Sequence, residues 1–517
     1  MKRPLVRLFL ILACAAGWLT VLPNLQRGIF LSPDETAVYR SAVQFAQTGS
    51  MSIPHPSLKE FPWMHPRSFV TLGESMVPVG FIGMPLILGF LGAVGLTFSF
   101  GYITPLLVLG VGLIIWLLNR ESSTTTRLLA VLSWLSFPTI ILYANRGLFP
   151  NLPTMCLTVI GGFMVWQKRT IPRSVIAGIC IALALAIRPI DAFWILPWAI
   201  FAWRFRQDRK QHQERKYLGS VLIAMSVVAI IVGIVQARTY GSVFNIGYFL
   251  RDPMVSQGAI EAIIQPSAQP VTEIQTWLPF GFHPRHVWFN LREYLFGFLW
   301  PWVLLVGAAI AISWKKREAR PWILLGIWTL GSCAAVYGHG IYQDHVGINV
   351  ASLGNSFLRY ILPATVFIPL AISVVLQKLS DTKQRYAILA GFALVSVTCA
   401  LGLATAFYDG KEALIESAKT LQSYQSIRVS AHAMFGKQVI VFSDRSDKIF
   451  FSPGWDAVTP VPDIKSIARL SATRTDIPVL YFGRPLSEQA LADWSAQGFT
   501  PRQVMTAGNE ALYEMKP

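Results

Sequence analysis

Asp34 and Glu35 stand side by side just after the first apolar run of the chain, in the stretch Ser32-Pro33-Asp34-Glu35-Thr36-Ala37-Val38-Tyr39-Arg40. Paired carboxylates can take a proton from an attacking group, contact a sugar or hold a cation. Ser32 and Glu35 have capping-box spacing, Pro33 suits the first helical position, and Val38, Ala42, Phe45 and Ala46 fall on one face. An amphipathic helix is therefore expected to start here and to stop at Gly49. Acids in a first helical turn also favour the positive end of the helix dipole, so spacing alone leaves the catalytic and the structural readings open. Among the cations, Arg188 is bracketed by apolar segments short enough to put it below a membrane surface, where an ionisable group points to function. Its nearest possible partner is Asp191, and a local ion pair is the competing reading. Arg359 opens a late apolar segment, where it could hold an anion or snorkel to an interface.

The elements that must position these residues follow from composition. Of the 517 residues 53% are hydrophobic and 14% charged, against roughly 25% charged in an ordinary soluble domain. The chain is therefore a membrane protein. Lys and Arg number 44 against 27 Asp and Glu, a net charge of +17, but the basic residues sit in short links between apolar runs. That is the positive-inside pattern of cytoplasmic loops and speaks against nucleic acid as a partner.

Twelve apolar segments can be traced, near 5–23, 79–97, 101–118, 128–144, 152–166, 174–187, 190–203, 217–237, 294–313, 321–338, 360–377 and 386–407. The basic links at 167–173, 204–216, 315–320 and 377–385 are assigned to the cytoplasm. The N-terminal run reads as an uncleaved first helix with its start inside, so residues 24–78 and everything after Phe407 lie outside. An odd number of crossings then requires about eleven spanning helices plus one re-entrant or interfacial segment. Segment 79–97 is the better candidate for the exception, because Pro78, Gly80, Gly83, Pro85 and Gly89 would weaken a regular helix.

The expected fold class is thus an all-α polytopic membrane protein with a small extracytoplasmic α/β domain at its C-terminus. Its parts are a first transmembrane helix (1–23), a first extracytoplasmic loop carrying the acids (24–78), a polytopic region (79–407) and the soluble domain (408–517). In the last part Lys437–Ser443, Pro478–Phe482 and Ala511–Glu514 read as strands and Ser487–Gln497 as an amphipathic helix. It has no phosphate-binding glycine loop, metal pattern or nucleophile elbow, which suits a cap or an acceptor-docking domain. The five cysteines all lie in apolar stretches and read as small hydrophobes. His55, His65, Glu74, His283 and Asp344 are scattered metal-ligand candidates without ligand spacing, and Arg67, Arg146, Arg285 and Arg292 are outer-loop cations.

The acidic pair after the first helix, the following segment with Tyr39 and Gly49, Leu185-Ala186-Ile187-Arg188-Pro189, Arg359-Tyr360-Ile361-Leu362-Pro363 and a soluble C-terminal tail occur in that order. Together they resemble the GT-C superfamily of polyprenyl-phosphate-sugar-dependent glycosyltransferases, which includes protein O-mannosyltransferases and lipid A aminoarabinose transferases. The first loop has His55-Pro56 and His65-Pro66 but no doubled His-Pro-Pro element, so the resemblance is to the architecture and leaves donor sugar and acceptor open. It implies a cell-envelope enzyme that moves a hexosyl or pentosyl group from a polyprenyl-phosphate-linked donor to a glycan, lipid or protein acceptor, with inversion. Asp34 is the implied catalytic acid-base, Glu35 the second choice for a metal or sugar contact, and Arg359, Arg188, Tyr39 and Arg67 the lipid-phosphate or substrate contacts. A divalent cation is used by some members and is the one cofactor the resemblance suggests. Two other classes compete: a lipid-linked sugar flippase or transporter, which also wants buried arginines and broken helices, and a membrane scaffold or sensor whose C-terminal domain is the working part.

Reporters fused after Lys210 and after Lys316 are expected to be cytoplasmic and one fused after Ala431 external. A cytoplasmic reporter at Ala431 would overturn the loop assignment.

Overall fold

The computed structural model describes residues 3–167, 170–204, 214–250, 280–342, 352–382, 384–436, 438–459 and 461–516. The chain is mostly helical. Among the described residues four helices are long and apolar enough to cross a membrane: Thr97–Leu118, Arg215–Tyr240, Leu362–Asp381 and Arg385–Tyr408. Three bent pairs raise this to seven if each pair is one span: Thr124–Leu135 with Pro138–Asn145 at 54°, Ile171–Ile187 with Pro189–Arg204 at 118°, and Pro284–Phe298 with Trp300–Ser313 at 91°. Each bend has a proline at the start of its second helix, Pro138, Pro189 and Pro301. Proline supplies no N–H to the preceding turn and pushes the residue before it out of helical geometry. Phe137 and Arg188 accordingly have ψ of 125° and 82°.

Beside these, the described residues hold short apolar helices such as Pro4–Leu19 and Asn151–Trp166. Of the two adjacent segments singled out from the sequence, Gly83–Ala93 has 11 residues. At 1.5 Å per residue it reaches about 16 Å, well short of a hydrocarbon core of about 30 Å. Thr97–Leu118, with 22 residues, is long enough to span.

The residues group into two compact units. The first holds the described residues of Met1–Asn24, Gly101–Ile230 and Ala268–Ser417. Its helices approach closely where they carry glycine: a Cβ on Gly178 would lie 2.5 Å from the Val221 carbonyl oxygen and 2.9 Å from the Ala224 Cβ. Contact at this range lets dispersion act between helix backbones, the main attraction left when the surroundings are as apolar as the side chains.

The second unit holds the described residues of Leu25–Phe100, Ile231–Ser267 and Ala418–Pro517. The helix Pro33–Thr48 starts at Ser32, whose hydroxyl accepts from the Asp34 N–H, and ends at Gly49 in the left-handed region with φ 72°. Strands β1 (Ile53–Pro54), β2 (Phe69–Leu72) and β3 (Ser75–Pro78) form an antiparallel sheet in the order β1-β3-β2. A five-stranded sheet follows from β4 (Val439–Ser443), β5 (Trp455–Val458), β6 (Val479–Gly483), β7 (Thr500–Ala507) and β8 (Glu510–Lys516), in the order β5-β4-β6-β8-β7. Strands β4, β5 and β6 run parallel and β8 is antiparallel to both its neighbours. Every residue of β4 and β6 is buried, which is why they read as continuous apolar runs without alternation. Leu58, Phe61, Met64 and Phe69 of the first loop enter the same apolar core as β4 and β6. Three strands and one helix follow the sequence reading; β5 and β7 were not expected. Lys437, the first residue of the expected strand, lies outside the described residues, as do 168–169, 205–213 and 343–351.

Gly178→Ala is expected to cost roughly 1–3 kcal/mol by overpacking against backbone, read as a lower unfolding temperature in detergent. Gly331→Ala, with nothing within 4 Å of its added carbon, is the control and should unfold at or slightly above the wild-type temperature.

Candidate functional site

In the first unit the two arginines picked out by the sequence converge on one tyrosine. Arg188 lies at the 118° bend, 9% exposed. Its Nε donates to Asp191 Oδ2 at 2.8 Å and one Nη donates to Asp191 Oδ1 at 3.4 Å and to the Tyr337 hydroxyl at 2.7 Å. Tyr337 in turn donates to Asp191 Oδ1. Helical breakage at Pro189 turns the chain into a 3₁₀ turn, Pro189–Asp191, which brings Asp191 back beneath the guanidinium. The ion-pair reading of Arg188 therefore describes its geometry: its charge is answered three residues along the chain.

Tyr337 stacks on Tyr360, ring centroids 4.3 Å apart and planes 10° apart. The guanidinium carbon of Arg188 is 5.3 Å from the Tyr360 centroid and that of Arg359 is 5.2 Å from it. Arg359 also lies 4.9 Å from the Phe149 ring, and Arg146 lies 4.5 Å from the same ring. Three arginines and three aromatic rings thus form one connected group, in which Asp191 pairs with Arg188. Arg146 is buried rather than solvated. Arg285 is exposed, and Arg292 is exposed and pairs with Glu293 at 2.6 Å.

Arg359 is carried by the short helix Ser356–Tyr360, capped by Asn355, whose side-chain oxygen accepts the Phe357 N–H at 2.9 Å. The preceding Gly354 donates its N–H to Glu412 Oε2 at 2.7 Å and accepts from the Tyr143 hydroxyl at 3.2 Å. A Cβ at Gly354 would collide with the Glu412 carboxyl. Glu412 was not anticipated; a lone acid beyond the last apolar segment gives no sequence signal of burial.

In the second unit Asp34 and Glu35 divide as neighbours on a helix must: Glu35 is 1% exposed and Asp34 is exposed. Asp34 Oδ1 accepts from the Ser68 hydroxyl at 2.6 Å. Ser68 has φ 65°, the sole non-glycine residue among those described with positive φ. Such backbone persists where its surroundings over-determine it, and it clusters at functional sites. Two bonds impose it here. Val79 donates its N–H to the Ser68 carbonyl at 2.9 Å. The preceding Arg67 is clipped to Asp447, its backbone N–H at 2.8 Å, Nε at 3.0 Å and Nη2 at 2.7 Å, with a further bond from Nη2 to the Arg445 carbonyl. Asp447 is 1% exposed, so Arg67 answers a buried carboxylate. Tyr39 packs between Phe30 and Phe100, at 5.1 and 5.9 Å. No pattern in the sequence singled out Ser68.

The metal-ligand candidates stay apart. His55 pairs with Asp456 at 3.0 Å, the His65 ring bonds the Pro66 carbonyl, Glu74 meets Lys59 at the surface, and the His283 N–H donates to His339 Nδ1. Asp344 lies outside the described residues. Among the described residues no three His, Cys, Asp or Glu side chains gather as a cation site.

Over 98% of its length the chain superposes on ArnT from Cupriavidus metallidurans, in the crystal structure bound to undecaprenyl phosphate; 97% of that chain is covered, with a TM-score of 0.55 and 11% sequence identity. The two share a fold through nearly their whole length. No protein-family description and no curated protein matches this sequence.

Asp191→Ala removes the counter-charge of a buried guanidinium and should cost about 3–5 kcal/mol, whereas replacing the pair together as Arg188→Met with Asp191→Leu should recover most of the loss. Thermal unfolding of the purified variants checks both. Equal unfolding temperatures for wild type and Asp191→Ala would mean that the pair does not bear on stability.

Proposed function

We propose that this chain is a GT-C-type glycosyltransferase that moves a sugar from a polyprenyl phosphate carrier to an acceptor hydroxyl at the outer face of a membrane, with inversion. The reading is carried by a fold likeness that runs through nearly the whole chain to a protein whose crystal structure holds undecaprenyl phosphate. The exposed carboxylate of Asp34, in the second unit, is a candidate general base, and the arginine-aromatic group around Tyr360, in the first, a candidate for binding an anionic leaving group. The acceptor oxygen attacks the anomeric carbon of the sugar and forms the new C–O bond. Its proton passes to a general base, and the bond from the anomeric carbon to the carrier phosphate breaks, leaving the electron pair on the phosphate oxygen.

Asp34 is assigned the base. It is exposed, it keeps its second oxygen off the Ser68 bond, and a hydroxyl donor on Oδ1 fixes the rotation of the carboxylate. Glu35, buried in the same helical turn, is assigned to support of that turn and to a sugar contact if the turn opens. The leaving phosphate is assigned to the group that contains Arg359, where guanidinium charge held by aromatic rings in a low-dielectric setting stabilises an oxyanion more than it could in water. Arg188 and Arg67, each engaged with a carboxylate, act as positioning residues: Arg188 through Tyr337 and Tyr360, Arg67 through Ser68. Tyr39 is left as a substrate contact at the Asp34 helix. The acceptor is a glycan, a lipid or a protein. In this reading the N-terminus is cytoplasmic and the C-terminal domain extracytoplasmic.

The test compares transfer from polyprenyl-phosphate sugars into an envelope extract by wild type, Asp34→Asn, Glu35→Gln and Arg359→Ala at matched folded concentration. Asp34→Asn should lower transfer by a factor of about 10² to 10⁴, the usual loss of a general base. Arg359→Ala should raise the donor KM. If Asp34 served the helix dipole alone, its change would cost on the order of 0.3–1 kcal/mol of stability and leave turnover intact. Near-normal transfer by Asp34→Asn would sink the assignment, and movement of a lipid-linked sugar across the bilayer without transfer would favour a transporter.

A further inference from the structure

In the first unit the helices Trp300–Ser313, Arg320–Tyr337 and Leu362–Asp381 line a cavity of about 370 Å³. Its depth is apolar, walled by Val306, Ile310, Ile323, Leu330, Phe367 and Ala371. Gly326 is part of the wall, and a Cβ there would meet the Phe367 ring at 3.4 Å, so the position admits a larger side chain. Ile327 lines the cavity and is itself exposed, as are Leu304 and Leu324 of the same two helices. The cavity therefore opens sideways onto an apolar outer flank, the kind of surface that meets hydrocarbon.

One end of the cavity is polar and lies where several helices stop or start. Ser313 ends Trp300–Ser313 and Ala319 precedes Arg320–Tyr337, while Asn119 and Trp166 close two further helices, and all four line the cavity. Cations follow at once: Arg120, Lys315, Lys316, Arg317 and Arg320 are exposed, and so is Lys378, one turn beyond the lining residue Val374. Three acids, Glu121, Glu318 and Asp381, stand near them in the sequence, half as many as the cations. Arg320 donates its Nε to the Trp314 carbonyl at 3.0 Å, which holds the guanidinium over the end of the preceding helix. Trp166 packs 4.7 Å from Trp322, and its indole N–H is buried without an acceptor. A buried donor without a partner is unfavourable, and an ester or phosphate oxygen at this end of the cavity satisfies it. Apolar depth, a sideways opening and a cationic mouth together are the outline of an anionic lipid.

We propose that this cavity holds one acyl chain of an anionic glycerophospholipid, with the lipid phosphate at the basic link 314–320. The volume is at the low end of the roughly 300–1,000 Å³ of ligand pockets, enough for part of one chain while the second stays against Leu304 and Leu324. The helix Arg320–Tyr337 has 18 residues, so about 26 Å separate Arg320 from Tyr337 at 1.5 Å per residue. The mouth is thus remote from the arginine-aromatic group to which the carrier phosphate is assigned, and the site does not rest on the transfer reading, since binding is measured without turnover.

Full-length protein in mild detergent is mixed with equal amounts of phosphatidylglycerol and phosphatidylcholine carrying the same chains, and the lipid bound per protein is counted by native mass spectrometry. Wild type and the control Arg502→Gln should bind phosphatidylglycerol in preference, each cation at the mouth contributing about fivefold. The combined variant Lys315→Gln, Lys316→Gln and Arg317→Gln should still bind a lipid but lose the preference. Gly326→Leu, which fills the cavity, should lose the bound lipid of either headgroup and unfold at or above the wild-type temperature. If Gly326→Leu fails to fold, the link variant, whose changes are all exposed, carries the comparison. Equal binding of the two lipids by wild type, or undiminished binding by folded Gly326→Leu, overturns the proposal. Displacement of phosphatidylglycerol by an equal amount of undecaprenyl phosphate would give the cavity to the carrier and overturn it as well.

Discussion

A guanidinium set among apolar helices has to be answered where it stands, because the desolvation of an unanswered charge costs several kcal/mol, a large part of the stability of a fold. At Arg188 the answer shapes the chain around it. Pro189 ends the helix, the 3₁₀ turn folds Asp191 back, and the bend of 118° separates Ile171–Ile187 from Pro189–Arg204. Tyr337 closes the arrangement by donating to Asp191 while accepting from Arg188. Its ring then has a fixed orientation and stacks on Tyr360, the residue after Arg359. The place of Arg359 is in this way a consequence of an ion pair made by a different arginine.

The second unit repeats the constraint with the signs exchanged. Asp447 is a carboxylate buried under the sheet, and it draws Arg67 of the first loop through side-chain and backbone bonds at once. With Arg67 fixed at its backbone N–H and the Ser68 carbonyl tied to Val79, Ser68 is left in the left-handed region with its hydroxyl on Asp34. Strain of about 1–3 kcal/mol at such a residue is supported by the two bonds that flank it. Residues hundreds of positions apart in the chain therefore decide the rotation of a carboxylate that looks, in the sequence, like a matter of one helical turn.

What was legible in the sequence was local and periodic. Ser32, Pro33 and Gly49 bounded the helix that carries Asp34, and the apolar runs of β4 and β6 marked buried strands, because caps and burial act within a few residues. The choice of segment 79–97 as re-entrant or interfacial rested on its own glycines and prolines, and the helix within it, Gly83–Ala93, has 11 residues. Helix straightness was less legible: an apolar run does not say whether its helix is straight, and the runs at 128–144 and 294–313 bend by 54° and 91°. The site was legible as residue types. Arg188 and Arg359 were picked from their places beside apolar segments, but their meeting at Tyr360 depends on helix packing that no spacing encodes. Ser68 and Glu412 left no trace, since a positive φ and a buried carboxylate are properties of the folded chain.

The arginines of this protein show why position along the chain ranks cations poorly. Arg67 and Arg188 both stood out by position, and both are engaged with a buried or nearly buried acid. For either to take a ligand it would first have to give up that partner and leave a carboxylate desolvated, which sets the exchange against the ligand. Arg40 drew no notice beside Asp34 and Tyr39, and Arg428 none at all, yet they stand in the opposite condition. Half-buried and without an acid at ion-pair distance, Arg40 lies against the Phe451 ring and Arg428 holds the Gly28 carbonyl. With 44 basic residues against 27 acidic ones, a good number of cations in this chain must go without an acid. Those in bulk water are screened by salt. Those at partial burial are screened less and must be held by rings and carbonyls instead, as Arg40 is by Phe451 and Arg428 by Gly28.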